Sequence, residues 1–218
     1  MAVYILVPGG NLSTDTWNKL AKRNDYPPGG HLGGKIWDKT VLALKAKHHQ
    51  VFAPTLFDEK KFNLSDHINQ ICTLINENNL KDVILVGASY GGMVITGVAD
   101  KMPDKIGLLV YLDAAYPNPG QSLFDILSFA KYEPKVVLEG FPKAYTEKLF
   151  FDPKNIKSLS KIYIQCTESS FLSVSKLVTQ KISKEKNWQF YELPTSHVPQ
   201  ATMPDKLIDL MLSFGVSS

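Results

Sequence analysis

The chain is constrained most strongly by short, continuously apolar segments that alternate with helical ones. Two such segments, residues 3–7 and 83–86, contain only aliphatic or tyrosine side chains, and each ends at proline or glycine. Further strands are predicted at 51–53, 106–112, 162–165 and 189–193, and helices at 35–46, 64–79, 93–101, 173–184 and 204–212. Continuously apolar strands separated by helices are typical of a mostly parallel sheet with helices on both faces. The sequence therefore predicts an α/β fold.

Composition and charge exclude several classes of protein. Of the 218 residues, 44% are hydrophobic and 21% are charged, so we expect one ordinary globular domain over residues 1–218. The net charge is only +3 and like charges form no long run, so we expect no nucleic-acid partner and no membrane partner. The first residues lack the basic start of a signal peptide, and no apolar stretch reaches the ~18 residues of a membrane span. We therefore expect a soluble, cytoplasmic protein.

Two regions interrupt the alternation of strands and helices. The segment 8–12 (PGGNL) with Trp17 is repeated 20 residues later as 28–32 (PGGHL) with Trp37, which indicates a local duplication and a loop insertion at about 11–34. Between about 120 and 160, aromatic side chains stand among prolines and lysines. We interpret this second region as a small cap over one end of the sheet, within the same domain.

The segment 87–91 (GASYG) carries the strongest signal for chemistry. The pattern G-x-S-x-G is weak alone, but here it follows an apolar strand and precedes a helix rich in small residues. In that setting the serine lies on a tight strand-to-helix turn, and its hydroxyl is exposed at the amino end of the helix, where backbone amides stabilise negative charge. We therefore predict that Ser89 is a nucleophile rather than an idle residue of a glycine-rich turn.

A serine hydroxyl needs a neighbouring base before it can act as a nucleophile. The chain has five histidines: His31, His48, His49, His67 and His197. Of these, His197 lies between the last predicted strand and the last predicted helix. In a parallel sheet that loop lies at the same edge as the turn that carries Ser89. We predict that His197 is the base.

Taken with these residues, the chain resembles the α/β-hydrolases, and especially the branch of plant methylesterases and hydroxynitrile lyases with their bacterial esterase relatives. The matching segments follow one another through nearly the whole chain, at 4–10, 33–38, 52–56, 86–93, 109–114, 163–167, 195–197 and 203–204. The resemblance implies an α/β-hydrolase fold with a mostly parallel sheet, a short cap and a triad in the chain order Ser, acid, His.

The resemblance also implies an oxyanion hole made of two backbone amides. One amide belongs to Tyr90, which follows the nucleophile, and the other to Gly10 in the loop after the first strand, with Gly9 beside it. The repeated pair 29–30 is a rival for Gly9 and Gly10. We prefer the first pair because it directly follows a strand, which fixes its position. The family often has histidine before the nucleophile, where this chain has Ala88.

The acid of the triad is left open between two carboxylates. In the methylesterases an aspartate usually follows Cys-Thr-Glu after the next-to-last major strand, but here the run 166–169 (CTES) places Ser169 there. A serine cannot stabilise an imidazolium as a carboxylate does. Asp113, at the end of an earlier strand, is the preferred acid, because some α/β-hydrolases take their acid from that strand. Glu168, adjacent to the usual position, is the alternative.

These residues together predict a serine esterase that cleaves small, apolar carboxylic esters or lactones through an acyl-enzyme. The sequence has no dinucleotide-binding, Walker or metal-ligand motif, so we expect no cofactor and no metal, and the expected partner is the ester substrate. A lyase of the hydroxynitrile type is the alternative enzyme. A non-hydrolytic ligand-binding protein on the same fold is the alternative outside enzymes.

Overall fold

The computed structural model describes residues 1–132 and 142–215 of the chain, and a six-stranded sheet lies at their centre. Its strands are β1 (Val3–Val7), β2 (Gln50–Phe52), β3 (Val83–Ala88), β4 (Ile106–Leu112), β5 (Ser160–Cys166) and β6 (Trp188–Leu193). Their order across the sheet is β2-β1-β3-β4-β5-β6, and every neighbouring pair is parallel. The predicted α/β architecture is confirmed.

Helices connect the strands and cover both faces of the sheet. They are α1 (Thr14–Ala21), α2 (Asp38–Ala46), α3 (Leu64–Glu77), α4 (Gly91–Lys101), α5 (Leu123–Phe129), α6 (Lys143–Thr146), α7 (Pro153–Lys157), α8 (Leu172–Ile182), α9 (Pro199–Thr202) and α10 (Pro204–Phe214). Short 3₁₀ turns lie at Gly33–Trp37 and Pro103–Lys105. Across the two described ranges, no helix combines the length and the apolar character that crossing a bilayer requires.

Alternate residues of the strands pack into two hydrophobic clusters, one on each face of the sheet. In β1, Ile5 and Val7 belong to one cluster, whereas Tyr4 and Leu6 belong to the other. Helices α3, α4 and α8 contribute to the first cluster, and α1, α2 and α10 contribute to the second. Because both faces are buried, successive strand residues are apolar, which explains the continuous apolar runs in the sequence.

The region 11–34, predicted as a loop insertion, contains the eight-residue helix α1. The N–H of Leu32 donates to the carbonyl of Leu12 at 2.9 Å, so the two ends of the region are held together. Trp17 and Trp37, which correspond in the two copies of the repeat, are both buried in the second cluster. The two copies thus form different local structures, a helix and a 3₁₀ turn, around one shared core.

The region 120–160, predicted as a cap, includes α5, α6 and α7, and its residues 133–141 lie outside the described part of the chain. The ring of Tyr145, on α6, lies 4.9 Å from the ring of Tyr90, which directly precedes α4. Helix α6 is therefore located at the carboxyl ends of the strands, next to the turn between β3 and α4.

A close approach between α4 and the segment after β4 leads to the first prediction. A methyl group on Gly92 would clash with the carbonyl oxygen of Ala115, whereas one on Gly97 would meet the end of the Ile68 side chain, which can rotate away. Gly92→Ala should therefore lower the free energy of unfolding by ~1–3 kcal/mol, and Gly97→Ala by much less. Urea unfolding of both variants measures this, and equal losses would contradict the packing described.

Candidate active site

Ser89 occupies a strained turn between β3 and α4. Its φ angle is 53°, in the left-handed region that a non-glycine residue adopts at a cost of ~1–3 kcal/mol. The N–H of Ser89 donates to the carbonyl of Leu112 at 3.2 Å, and the carbonyl of Ser89 accepts from the N–H of Ala115 at 3.1 Å. These bonds to the end of β4 hold the turn, and they direct the Ser89 hydroxyl away from the strand.

The ring of His197 lies between Ser89 and Asp113. Its Nδ1 is 2.7 Å from Oδ2 of Asp113, and its Nε2 is 2.9 Å from Oγ of Ser89. Because a carboxylate only accepts, Nδ1 carries the proton, so Nε2 of the neutral ring accepts from the Ser89 hydroxyl. The arrangement links a hydroxyl, a base that can take its proton, and a buried negative charge that can stabilise the resulting imidazolium.

Asp113 directly follows β4, and its backbone resembles that of Ser89. Its φ angle is 42°, again left-handed, and its N–H donates to the carbonyl of Ile164 at 2.7 Å. The Asp113 side chain is 0% exposed, whereas that of His197 is 22% exposed. The left-handed residues at the ends of the adjacent strands β3 and β4 therefore place the hydroxyl and the carboxylate on opposite sides of one imidazole.

Four donors surround the Asp113 carboxylate, and sequence reasoning predicted only one of them, His197. Oδ1 accepts from the Ser175 hydroxyl at 2.5 Å and from the N–H of Cys166 at 3.3 Å, and Oδ2 accepts from the Ser169 hydroxyl as well as from His197. A buried carboxylate needs such donors, because removing its charge from water costs several kcal/mol. The sequence marks Ser175 only as a polar residue within the apolar face of a predicted helix.

Glu168, the alternative acid, is not brought to the imidazole. Its side chain is exposed, and its backbone N–H donates to the carbonyl of Thr195 at 3.0 Å. The neighbouring Ser169 is the residue that turns inward, where its hydroxyl lies 3.3 Å from Nδ1 of His197. Cys166 is fully buried, and this burial, followed by the nearby Asp113 charge, raises the pKa of its thiol. Cys166 is therefore a packing residue, as a thiol far from ionisation is not nucleophilic.

The loop after β1 lies against Ser89, as expected for Gly9 and Gly10. A methyl group on Gly9 would lie 2.8 Å from Cβ of Ser89, so the loop approaches the nucleophile as closely as a glycine allows. The rival pair behaves differently, because the nearest side chain to Gly30 is that of Thr14, on α1. The structure therefore brings Gly9 to Ser89, with Gly10 next in the loop, and leaves Gly30 beside α1.

Tyr90, whose N–H is the other expected oxyanion donor, is held by a buried histidine. The Nε2 of His67 lies 3.0 Å from the carbonyl of Phe57 and must donate to it, so its Nδ1 accepts from the Tyr90 hydroxyl at 2.9 Å. Burial lowers the pKa of His67, which keeps this ring neutral. His67 thus orients Tyr90 and has no contact with Ser89.

Over residues 1–132 and 142–215, no three histidine, cysteine, aspartate or glutamate side chains converge as ligands of a metal ion would.

Comparison with known proteins agrees with the fold. A profile of the alpha/beta hydrolase family matches residues 5–161. A carbendazim hydrolyzing esterase from Nocardioides sp. (strain SG-4G) is 44% identical over 103 residues, which are 44% of this chain and 43% of that protein. An alpha-hydroxynitrile lyase from Arabidopsis thaliana is 34% identical over 95 residues, or 39% of this chain and 37% of that one. The aligned segments thus span less than half of either relative.

Structural similarity extends over the complete chain. An extracellular alpha/beta-hydrolase from a Paenibacillus species superimposes with a TM-score of 0.73 over 100% of both chains, at 22% sequence identity. That level of identity supports the fold alone. Membership in the family is supported by the family profile, which covers well over half of the chain. The parallel sheet, the strained serine turn and these two matches agree, and the chain belongs to the alpha/beta hydrolase family.

Proposed function

We propose that the protein is a serine hydrolase that cleaves small, apolar carboxylic esters, with Ser89, His197 and Asp113 as its catalytic triad. The observation that carries the proposal is the continuous chain of hydrogen bonds from the Ser89 hydroxyl through both ring nitrogens of His197 to the buried Asp113. The name of the Nocardioides relative, a carbendazim hydrolyzing esterase, supports the same class of reaction.

In the first half of the reaction, Oγ of Ser89 adds to the ester carbonyl carbon while its proton passes to Nε2 of His197. The negative charge on the former carbonyl oxygen is held by the amides of Gly10 and Tyr90, and an amide of this kind contributes ~3 kcal/mol to lowering the barrier. The imidazolium of His197 is stabilised by Asp113. It then gives its proton to the leaving alkoxide, and the alcohol departs from an acyl-Ser89 ester.

In the second half, a water molecule loses a proton to Nε2 of His197 and adds to the acyl carbon. The second tetrahedral intermediate collapses as His197 returns the proton to Oγ of Ser89, and the carboxylic acid is released. The same amides hold the charge in both halves. No cofactor takes part in this scheme, because every proton that moves is taken and returned by His197.

An apolar substrate is supported by the aromatic residues beside the base. The ring of Phe171 lies 4.7 Å from the ring of His197, and the ring of Tyr132 lies 5.6 Å from that of Phe171. Phe171 is 4% exposed, so its ring is buried against the imidazole and makes the surroundings of the base apolar. Pockets for small ligands are mostly apolar with a few polar groups that orient the reacting bond. These apolar surroundings of the base favour an apolar ester as the substrate.

The similarity to an alpha-hydroxynitrile lyase supports a second candidate reaction. The same base could take the hydroxyl proton of a cyanohydrin, with cyanide as the leaving group and no acyl-enzyme. The decisive difference is the covalent intermediate, which an ester hydrolase forms on Ser89 and a lyase does not.

The nucleophile is tested with a fluorophosphonate probe and a short p-nitrophenyl ester. The unmodified protein should be labelled and should hydrolyse the ester. In Ser89→Ala labelling should vanish and hydrolysis should fall by on the order of 10³-fold or more. Ser183→Ala, at an exposed serine, is the control. The esterase assignment would be wrong if the probe labelled the unmodified protein but the ester was not hydrolysed. Release of cyanide from an aromatic cyanohydrin would then identify the protein as a lyase.

The acid is tested by a matched pair of isosteric variants. Asp113→Asn should lower kcat by on the order of 10³–10⁴-fold, because an amide neither stabilises the imidazolium nor fixes its tautomer. Glu168→Gln should retain kcat, because the exposed carboxylate is not bonded to His197. Steady-state kinetics with thermal unfolding as a folding control measure both. A larger loss for Glu168→Gln would reverse the assignment.

The hydroxyl of Ser175 provides a third test. Ser175→Ala removes one of the two donors to Oδ1 of Asp113 and leaves a buried charge less well bonded, so the free energy of unfolding should fall by ~1–3 kcal/mol. Ser173→Ala, at an exposed serine of the same helix, should change it by less than ~0.5 kcal/mol. Chemical denaturation of the two variants makes the comparison, and equal stabilities would show that the Ser175 bond contributes nothing.

A further inference from the structure

A carboxylate outside the triad connects helix α6 to the loop that follows β1. This loop contains Gly9, Gly10 and Asn11, and we call it the oxyanion loop. The Oε2 atom of Glu59, in the connection between β2 and α3, accepts from the backbone N–H of Asn11 at 3.2 Å and from the hydroxyl of Tyr145 at 3.0 Å. The backbone carbonyl of Glu59 also accepts from the N–H of Ala144 at 3.3 Å. Glu59 thus holds the residue that follows Gly10 and the segment that carries Tyr145.

Tyr145 in turn contacts both residues whose amides are proposed to hold the oxyanion. A methyl group on Gly10 would clash with the Tyr145 hydroxyl, so that hydroxyl lies directly against the loop. On its other side, the ring of Tyr145 lies 4.9 Å from the ring of Tyr90. Burial raises the pKa of Tyr145, followed by the effect of the Glu59 charge, so its hydroxyl stays protonated and donates to Glu59.

The oxyanion loop needs such external support because of its composition. Gly9 and Gly10 have no side chains that could pack and fix the backbone, and glycine has more conformational freedom than any other residue. An oxyanion donor is effective only when it is held within hydrogen-bond distance of the position of the developing charge. A displacement of about 1 Å at such a group can reduce the rate by ~100-fold.

We propose that Tyr145 and Glu59 are positioning residues for the oxyanion hole: Tyr145 presses on Gly10 and Tyr90, and Glu59 fixes both Tyr145 and the N–H of Asn11. The inference rests on the proposed function, because it assumes that Gly10 and Tyr90 donate to a tetrahedral intermediate. It adds a dependence of the catalytic rate on a residue of α6, a helix that supplies no member of the triad.

A second carboxylate on the same segment provides the matched control. Glu147 accepts from the N–H and from the hydroxyl of Ser65, each at 2.7 Å, and so ties the end of α6 to the start of α3. Neither Glu147 nor Ser65 touches the oxyanion loop. Breaking this tie loosens the same segment without removing the bonds to Asn11 or Tyr145.

The experiment compares Tyr145→Phe, Glu59→Ala, Glu59→Gln and Glu147→Ala with the unmodified protein. The readouts are kcat and KM on a p-nitrophenyl ester and the affinity for an alkyl trifluoromethyl ketone, which forms an oxyanion on the nucleophilic serine. Tyr145→Phe and Glu59→Ala should lower kcat by ~10-fold or more with KM within about twofold, because the loss falls on the transition state. The affinity for the ketone should fall by the same factor as kcat/KM.

Glu59→Gln and Glu147→Ala should both retain kcat within about threefold. Both bonds of Glu59 end on one oxygen, and the amide oxygen of glutamine can accept both. Tyr145→Phe keeps the buried ring, so this variant decides the question if Glu59→Ala does not fold.

Two outcomes would overturn the inference. Unchanged kcat and ketone affinity in Tyr145→Phe would show that the contact with Gly10 is only packing. An equal loss in Glu147→Ala would show that general loosening of α6 is responsible. Failure of the proposed function is recognised separately, because the unmodified protein would then show no ester hydrolysis, whether or not the fluorophosphonate labels it.

Discussion

The arrangement of Ser89, His197 and Asp113 depends on a negative charge that is buried completely. Asp113 has no exposed surface, so water cannot stabilise its carboxylate, and protein groups must do so. Cys166, Ser169 and Ser175 supply three of its four hydrogen bonds, and all three belong to β5, to α8 or to the turn between them. The fourth comes from His197. The imidazole is therefore oriented by a charge whose own position is fixed from the neighbouring strand and helix.

The parallel sheet makes this arrangement possible. Parallel strands gather their carboxyl ends at one edge, so residues far apart in the chain meet there. Ser89 and Asp113 follow adjacent strands with left-handed backbones, and the loop after β6 delivers His197 between them. The strain of two such residues is balanced by backbone bonds such as those of Ser89 to Leu112 and Ala115. Local strain and sheet geometry thus cooperate in a single site.

Much of the fold and part of the site could be predicted from the sequence, and the reasons differ. The sheet was predictable because strands buried on both faces appear as continuous apolar runs. The position of Ser89 on a strand-to-helix turn was predictable because its motif is local and follows a strand. The acid stayed open because both Asp113 and Glu168 follow strands, and the choice depends on which side chain points inward, which no local pattern records. The turn after β5 sends Ser169 inward and Glu168 outward.

Other parts of the site and fold depend on contacts between distant residues. Ser175 meets Asp113 from 62 residues away, and Glu59 meets Tyr145 from 86 residues away, so nothing local marks either pair. Helix α1, eight residues long, was predicted as loop because it lies between the two Pro-Gly-Gly segments of the repeat. Packing of Trp17 into the second cluster stabilises it, and tertiary packing of this kind usually outweighs propensity in short helices.

The contact between the Ser169 hydroxyl and Asp113 has a consequence for which residues positions 113 and 169 can hold together. A carboxylate at position 169 would stand beside the one at 113 in a space without solvent, and two adjacent like charges cannot both ionise there. A carboxylate at one of the two positions therefore disfavours a carboxylate at the other, and moving it from one strand to the other requires that both residues be exchanged together.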